Sequence, residues 1–179
     1  MKNIETAAPL AQLTCLAIRL PSMPQAVLDM LLHLGELAHV LPPTLRLVVL
    51  SVFPPEKVLR VLAGLGMSQH VHVIDARQPV LTLCRVLMLA ARLNVLSLST
   101  WLSHKPVLRS RALLTLPERW VLRQSVREVP VHKQAYRRSV DAKTLYSQRS
   151  TAFHKLGVPH LHALLGWFRV PERRVTVAP

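Results

Sequence analysis

The sequence predicts an α/β layer followed by an all-α unit. Three observations point that way. From Leu13 to about Leu93, short apolar runs alternate with amphipathic stretches, and proline or glycine punctuates them. Past Asn94 that rhythm stops and four helical stretches follow. The charge changes at the same place: residues 1–100 hold 8 Lys+Arg against 5 Asp+Glu, whereas residues 101–179 hold 15 against 4. A chain of 179 residues has room for one domain or two small ones, and with half of it hydrophobic a packed core is within reach.

The first half reads β-α-β-α-β-α. Leu13–Arg19 is a short apolar strand closed by Pro21 and Pro24. Gln25–Val40 has helical spacing in Val27, Leu28, Leu31, Leu32, Leu34 and Leu37, and Pro42 and Pro43 stop it. Leu45–Leu50 (LRLVVL), dense in Leu and Val, reads as a parallel strand buried on both faces. Pro54 and Pro55 open a second helix, which ends near Leu65 with Gly66 as its stop. His70–Ile74 is the third strand and Pro79 to about Leu93 the third helix. Crossovers of this length argue for a parallel sheet, although three strands leave both edges bare.

Residues 94–111 read as a linker. The first helix after it, Pro117–Glu128, is entered from Thr115 with Glu118 placed for a capping box, and its core face uses Trp120, Val121, Leu122 and Ser125. The second spans Val131–Arg138. The third lies between Asp141, a candidate N-cap, and Gly157, a residue that enters the left-handed conformation freely. Leu145, Arg149, Ala152 and Leu156 share one of its faces. Lys143, Tyr146, Ser147, Ser150 and His154 share another, which is small, polar and cationic and suits a helix laid in a DNA groove. The fourth runs from about Pro159 to Phe168, with Leu161, Leu164, Leu165 and Phe168 inward, and residues 171–179 form a basic tail.

Composition narrows the function classes. A basic unit joined to a nearly neutral one implies a polyanionic partner, with nucleic acid favoured over an anionic membrane surface or a merely solvated face. The longest apolar stretch, Val80–Leu102, is broken by Arg85 and Arg92, so no membrane span is expected. Met1–Leu10 lacks a signal-peptide pattern, and Cys15 and Cys84 make no metal or disulfide spacing, so a reduced cytoplasmic setting is expected. His70 and His72 alternate on one strand without a third ligand and read as surface or core histidines. With no Ser/His/Asp cluster, glycine-rich phosphate loop or metal set, neither an enzyme nor a cofactor is expected.

The segments LTLPERWVLRQ, AYRRSVDAKTLYSQRSTAFHKLGV and ALLGWF resemble the helix-turn-helix of LuxR/FixJ-type regulators. Leu114, Thr115, Glu118, Val121 and Leu122 carry the first helix's pattern and Ala135 the second's. Lys143 and Thr144 open the third helix and Lys155, Leu156, Gly157 and Val158 close it, without a gap. Ser147-Gln148 and Ala163-Leu164-Leu165 are similar to the Rcs capsule-regulator branch in particular. The resemblance implies duplex DNA as partner. Lys143 and Thr144 are then expected at phosphates and Tyr146, Ser147 and Ser150 at base edges. Arg149 either reaches phosphate or covers the core with its stem. Lys133, Arg137 and Lys155 are expected on the DNA backbone. Gln134 and Arg138 stand where the pattern has apolar residues, and Glu128 where it has the turn glycine. These departures predict a loosely packed second helix and weak DNA binding by the unit alone.

The front half is similar, more faintly, to strands three to five of a receiver domain. CLAIRLPSM matches the segment around the phosphate-accepting aspartate, with Ala17 in its place; Ser51 matches the switch Ser/Thr, and Asp75 lies near the receiver lysine's position. The resemblance implies a degenerate receiver, independent of phosphorylation, with its first two strands lacking a counterpart. Either the recorded start lies inside a longer gene or the receiver has eroded. The expected protein is a DNA-binding transcriptional regulator that pairs with itself or with another LuxR-type regulator. Its rival is a protein–protein adaptor, with little DNA binding of its own, that acts by such heterodimerisation.

Overall fold

The computed structural model describes residues 15–42, 45–67, 71–92 and 112–169. The linker expected at 94–111 and the tail at 171–179 fall outside them. Strands β1 (Cys15–Arg19), β2 (Arg46–Ser51) and β3 (Val71–Asp75) form a parallel sheet in the order β1-β2-β3. Cys15 pairs with Arg46 across the first ladder and Leu47 with Val71 across the second. Helices α1 (Pro24–Leu37), α2 (Pro55–Gly64) and α3 (Val80–Arg92) follow the strands in turn. Then come α4 (Leu116–Val126), α5 (Val131–Arg138), α6 (Ala142–Leu156) and α7 (Leu161–Gly166). The fold is therefore the expected one: a partial receiver-like parallel βα layer followed by a four-helix unit.

One core runs through both halves. Leu28, Leu31 and Leu32 of α1, Val58 and Leu62 of α2 and Val49 of β2 join Leu122 of α4, Leu156 of α6, Leu164 of α7 and Phe168 in a single buried cluster. Phe53 and Phe168 meet edge-to-face with centroids 5.5 Å apart, a favoured aromatic geometry. Gly64 lies where α2 meets α6. A Cβ there would sit 3.0 Å from the Leu156 side chain, and its carbonyl accepts from the Leu114 amide at 2.8 Å.

A polar clasp reinforces the same seam. Asp29 of α1 accepts from Arg123 Nε at 3.1 Å and from Arg127 Nε and Nη2 at 2.7 and 2.9 Å. Arg123 also pairs with Glu36, and Arg119 donates to the Gly35 carbonyl at 3.1 Å. The Arg127 hydrogen bond, joined by Arg123 against a modest burial penalty, holds the Asp29 carboxyl below its ordinary range.

Four helices end alike. Gly66, Glu128, Ser139 and Gly157 take positive φ, and the next residue's amide reaches back to a carbonyl near the helix end: Met67 to Leu62, Val129 to Gln124, Val140 to Ala135 and Val158 to Phe153. This closure, across five positions, satisfies carbonyls that a helix end would otherwise leave open. Glycine adopts the conformation without strain; Glu128 and Ser139 carry a Cβ there at a cost of about 1 kcal/mol each.

Candidate nucleic-acid interface

The helix-turn-helix is α5, the turn Ser139–Asp141, and α6. Its scaffold is α4, which begins with the expected capping box: Thr115 N–H donates to Glu118 Oε2 at 2.7 Å, and Glu118 N–H donates to Thr115 Oγ1 at 3.4 Å. Lys155, near the end of α6, donates to Glu118 Oε2 at 2.8 Å, to Oε1 at 3.0 Å and to the Leu113 carbonyl at 3.0 Å. Burial pushes the Glu118 carboxyl up, but Lys155 and Thr115 together hold it below its ordinary value. Lys155 was expected on the DNA backbone. The structure turns it inward instead, because a nearly buried carboxylate needs a cation.

The second helix buries one side chain, that of Gln134. Gln134 is buried, and its Nε2 donates to the Val129 carbonyl at 2.6 Å, so the amide closes the α4–α5 turn. Glu128 takes the left-handed conformation that a turn glycine would supply (φ 57°). Arg138 lays its guanidinium 5.1 Å from the Trp120 ring centroid, which leaves Trp120 half-buried rather than a full core anchor. Gln134 and Glu128 thus serve the turn, whereas Arg138 keeps Nη1 buried without a hydrogen-bond partner.

On α6 the two expected faces separate. Leu145, Ala152 and Leu156 are buried, together with Phe153, which periodicity alone did not reveal. Lys143, Thr144, Tyr146, Ser147, Ser150 and His154 are exposed. Arg149 is half-buried with its guanidinium 4.8 Å from the Tyr146 ring centroid. Asp141 has the extended backbone of an N-cap, but its carboxylate makes no capping hydrogen bond.

Lys133 and Arg137 are exposed on α5. An open depression at the α5–α6 corner brings Arg137 beside Thr144, Ser139 and Asp141. Tyr136 lines it too and is 88% exposed, a contact candidate that sequence reasoning missed. Its spacing was the available signal, since it falls three residues after Lys133 and next to Arg137. Residues 131–157 carry six Lys and Arg, of which Lys155 is paired with Glu118, against the single acid Asp141.

In the receiver-like half, Ala17 is exposed on β1 and pairs with Val48. Ser51 is buried, and its hydroxyl accepts from the Phe53 amide at 3.0 Å. Asp75 accepts from Arg77 Nε at 2.9 Å. Among the described residues no group of three or more His, Cys, Asp or Glu could hold a metal ion, and no helix is long and apolar enough to cross a membrane.

No protein-family model and no curated protein matches the chain. Solved structures of the RcsB response regulator are similar to it. RcsB from Salmonella enterica serovar Typhimurium, bound to promoter rprA with the phosphomimetic BeF3-, aligns at 21% identity and a TM-score of 0.40, over 88% of this chain and 75% of that one. A Salmonella typhimurium RcsB S207C structure aligns at 22% and 0.32, over 86% and 74%. A structure of two RcsB dimers on two parallel DNAs aligns at 21% and 0.32, over 86% and 73%. At these TM-scores the superposition is loose, and this chain's own residues carry the functional reading.

Proposed function

We propose that the chain is a non-catalytic, cytoplasmic transcriptional regulator that binds duplex DNA sequence-specifically by laying α6 in the major groove. One observation carries the reading. The buried and exposed faces of α6 are split, and the exposed face is a stripe of Lys143, Ser147, Ser150 and His154 that carries no acid within the helix. A groove about 12 Å wide admits such a helix. Lys143 and Thr144 fix the helix start on phosphate, Tyr146, Ser147 and Ser150 meet base edges, and Lys133 and Arg137 hold the flanking backbone. Arg149 supports Tyr146 from below. Residues 112–170 act as the DNA-binding unit and residues 1–93 as its receiver-like companion. Ala17 offers no nucleophile for a phosphoryl group, so binding is independent of phosphorylation.

The test is fluorescence anisotropy on duplex DNA across a salt series, with Lys143→Ala alongside and acetyl phosphate added in a parallel arm. The slope of log K against log salt becomes shallower by about 0.9 in the variant, one phosphate contact, and acetyl phosphate changes nothing. Absence of binding at low salt by folded protein overturns the reading.

A second reading has an observation of its own. Val80, Leu81 and Met88 of α3 are 72, 77 and 53% exposed, a surface suited to another chain. In this reading the chain is an adaptor that modulates another LuxR-type regulator by heterodimerising with it. Partner capture that survives Lys143→Ala, without DNA affinity, supports it.

A further inference from the structure

We infer that the DNA-binding surface continues beyond the helix-turn-helix onto α2, where Lys57 and Arg60 form a second phosphate clamp around Trp167. The inference rests on the DNA-binding reading above and extends it to a helix of the receiver-like half.

Three observations carry it. First, Lys57 Nζ and the Arg60 guanidinium carbon lie 4.7 and 5.5 Å from the centroid of the same Trp167 ring. Two cations on one indole repel each other, and among the described residues neither has a carboxylate partner. An anion between or above them removes that repulsion. Second, the exposed stripe of α6 continues in steps of four and three from Lys143 through Ser147, Ser150 and His154 to Gly157. Arg60 Nη1 stands 3.6 Å from where a Gly157 Cβ would be. The cation at the end of the presented face therefore comes from α2, not from α6. Third, α6 has 15 residues and spans about 22 Å, longer than the groove is wide. With its N-terminal residues in the groove, its C-terminal end emerges near the flanking backbone, where Arg60 and Lys57 wait.

The indole does more than neutral packing would. It holds two long, flexible side chains side by side before any ligand arrives, which lowers the entropy lost on binding. A plainer role exists for Arg60, because a cation near a helix C-terminus offsets the helix dipole. That role predicts a change in stability and none in the salt dependence of DNA binding.

The experiment uses the full chain on one random and one selected duplex, between about 50 and 200 mM salt. Wild type is compared with Lys57→Gln/Arg60→Gln and with Lys57→Arg/Arg60→Lys, which keeps both charges. The Gln pair is expected to make the log K–log salt slope shallower by about 1.8 and to weaken both duplexes equally, since phosphates carry no sequence. The charge-keeping pair is expected to retain most of the slope, which guards against a folding artefact. An unchanged slope in the Gln pair, with Lys143→Ala still shallower, overturns this inference alone. Absence of DNA binding by the wild type overturns it together with the function proposed above.

Discussion

The two faces of the sheet are built very differently. Against one face, α1 and α2 pack with α4, α6 and α7 in a core where Leu31, Leu62, Leu122, Leu164 and Phe168 lose essentially all contact with solvent. Against the other face, among the described residues, lies α3 alone. There, among the described residues, the buried cluster is Val48 and Ile74, with Leu83, Val86 and Leu87 partly covered. The contrast teaches where cohesion resides. The helix-turn-helix does not hang from the sheet by a tether; its own core is the core of one sheet face. The α3 face is a thin shell, and its loss would cost the molecule far less.

The largest expected effect tests that contrast directly. Phe168→Ala removes a fully buried ring at the shared seam and is expected to cost about 3–5 kcal/mol. Val86→Ala on the α3 face is expected to cost under about 1 kcal/mol. Chemical denaturation followed by circular dichroism and by tryptophan emission measures both, and the two probes should coincide for Phe168→Ala. Equal costs at the two sites would erase the distinction between the faces.

A smaller effect sharpens it through pH. Asp29, Glu36 and Glu118 all lie on the seam side, and all three carboxyls are held below their ordinary values. For Asp29 the Arg127 hydrogen bond dominates. For Glu36 burial works in the opposite direction but is outweighed by Arg123 and His33. A lowered folded value means the stabilisation is complete above the unfolded range, near pH 4, and disappears as pH falls through the lower folded values. Asp29→Asn is expected to cost about 1 kcal/mol at neutral pH, since the pair is partly exposed and screened. It should also flatten the decline in stability between about pH 5 and 2. An acid titration with the same steepness as wild type would show that the clasp contributes nothing.

The smallest expected effect is a gain. Glu128→Gly relieves a left-handed glutamate and should add about 0.5–1 kcal/mol, less whatever the Gln25–Glu128 contact at 3.3 Å supplies. A loss of stability would mean that this contact or the extra freedom of the unfolded chain outweighs the strain.

Much of the fold was readable because its signals are local. Leu45–Leu50 announces itself as a buried strand by its Leu and Val content, which Arg46 alone interrupts. Val131–Arg138 forms over the expected residues because Pro130 precedes it and Ser139 closes it. The capping box at Thr115 and Glu118 is a four-residue pattern, and it forms as written. The illegible parts depend on distant partners. Phe153 lies off the apolar stripe and is buried because both the α4 and α2 sides of α6 are covered. Lys155 looks like any surface cation until Glu118 is brought to it from 37 positions away. Arg123 and Arg127 add to the basic count of the second half, yet their charge is spent on Asp29 and Glu36 of the first. Gln134 looked like a misfit because nothing in the spacing shows that the Val129 carbonyl faces it.

The knot of Lys155, Glu118, Thr115 and the Leu113 carbonyl pins only one end of α6. The opposite end begins at Asp141 without a side-chain cap, and Ala142, Lys143 and Thr144 are all exposed. The helix is therefore a rod clamped at its tail, with its tip held by Leu145 and little else beyond it. Small tilts at a binding site would pivot about Lys155 and move the first turn the most. Amide hydrogen exchange along α6 would then rise from Leu156 back toward Ala142, a gradient that follows from where the clamp lies.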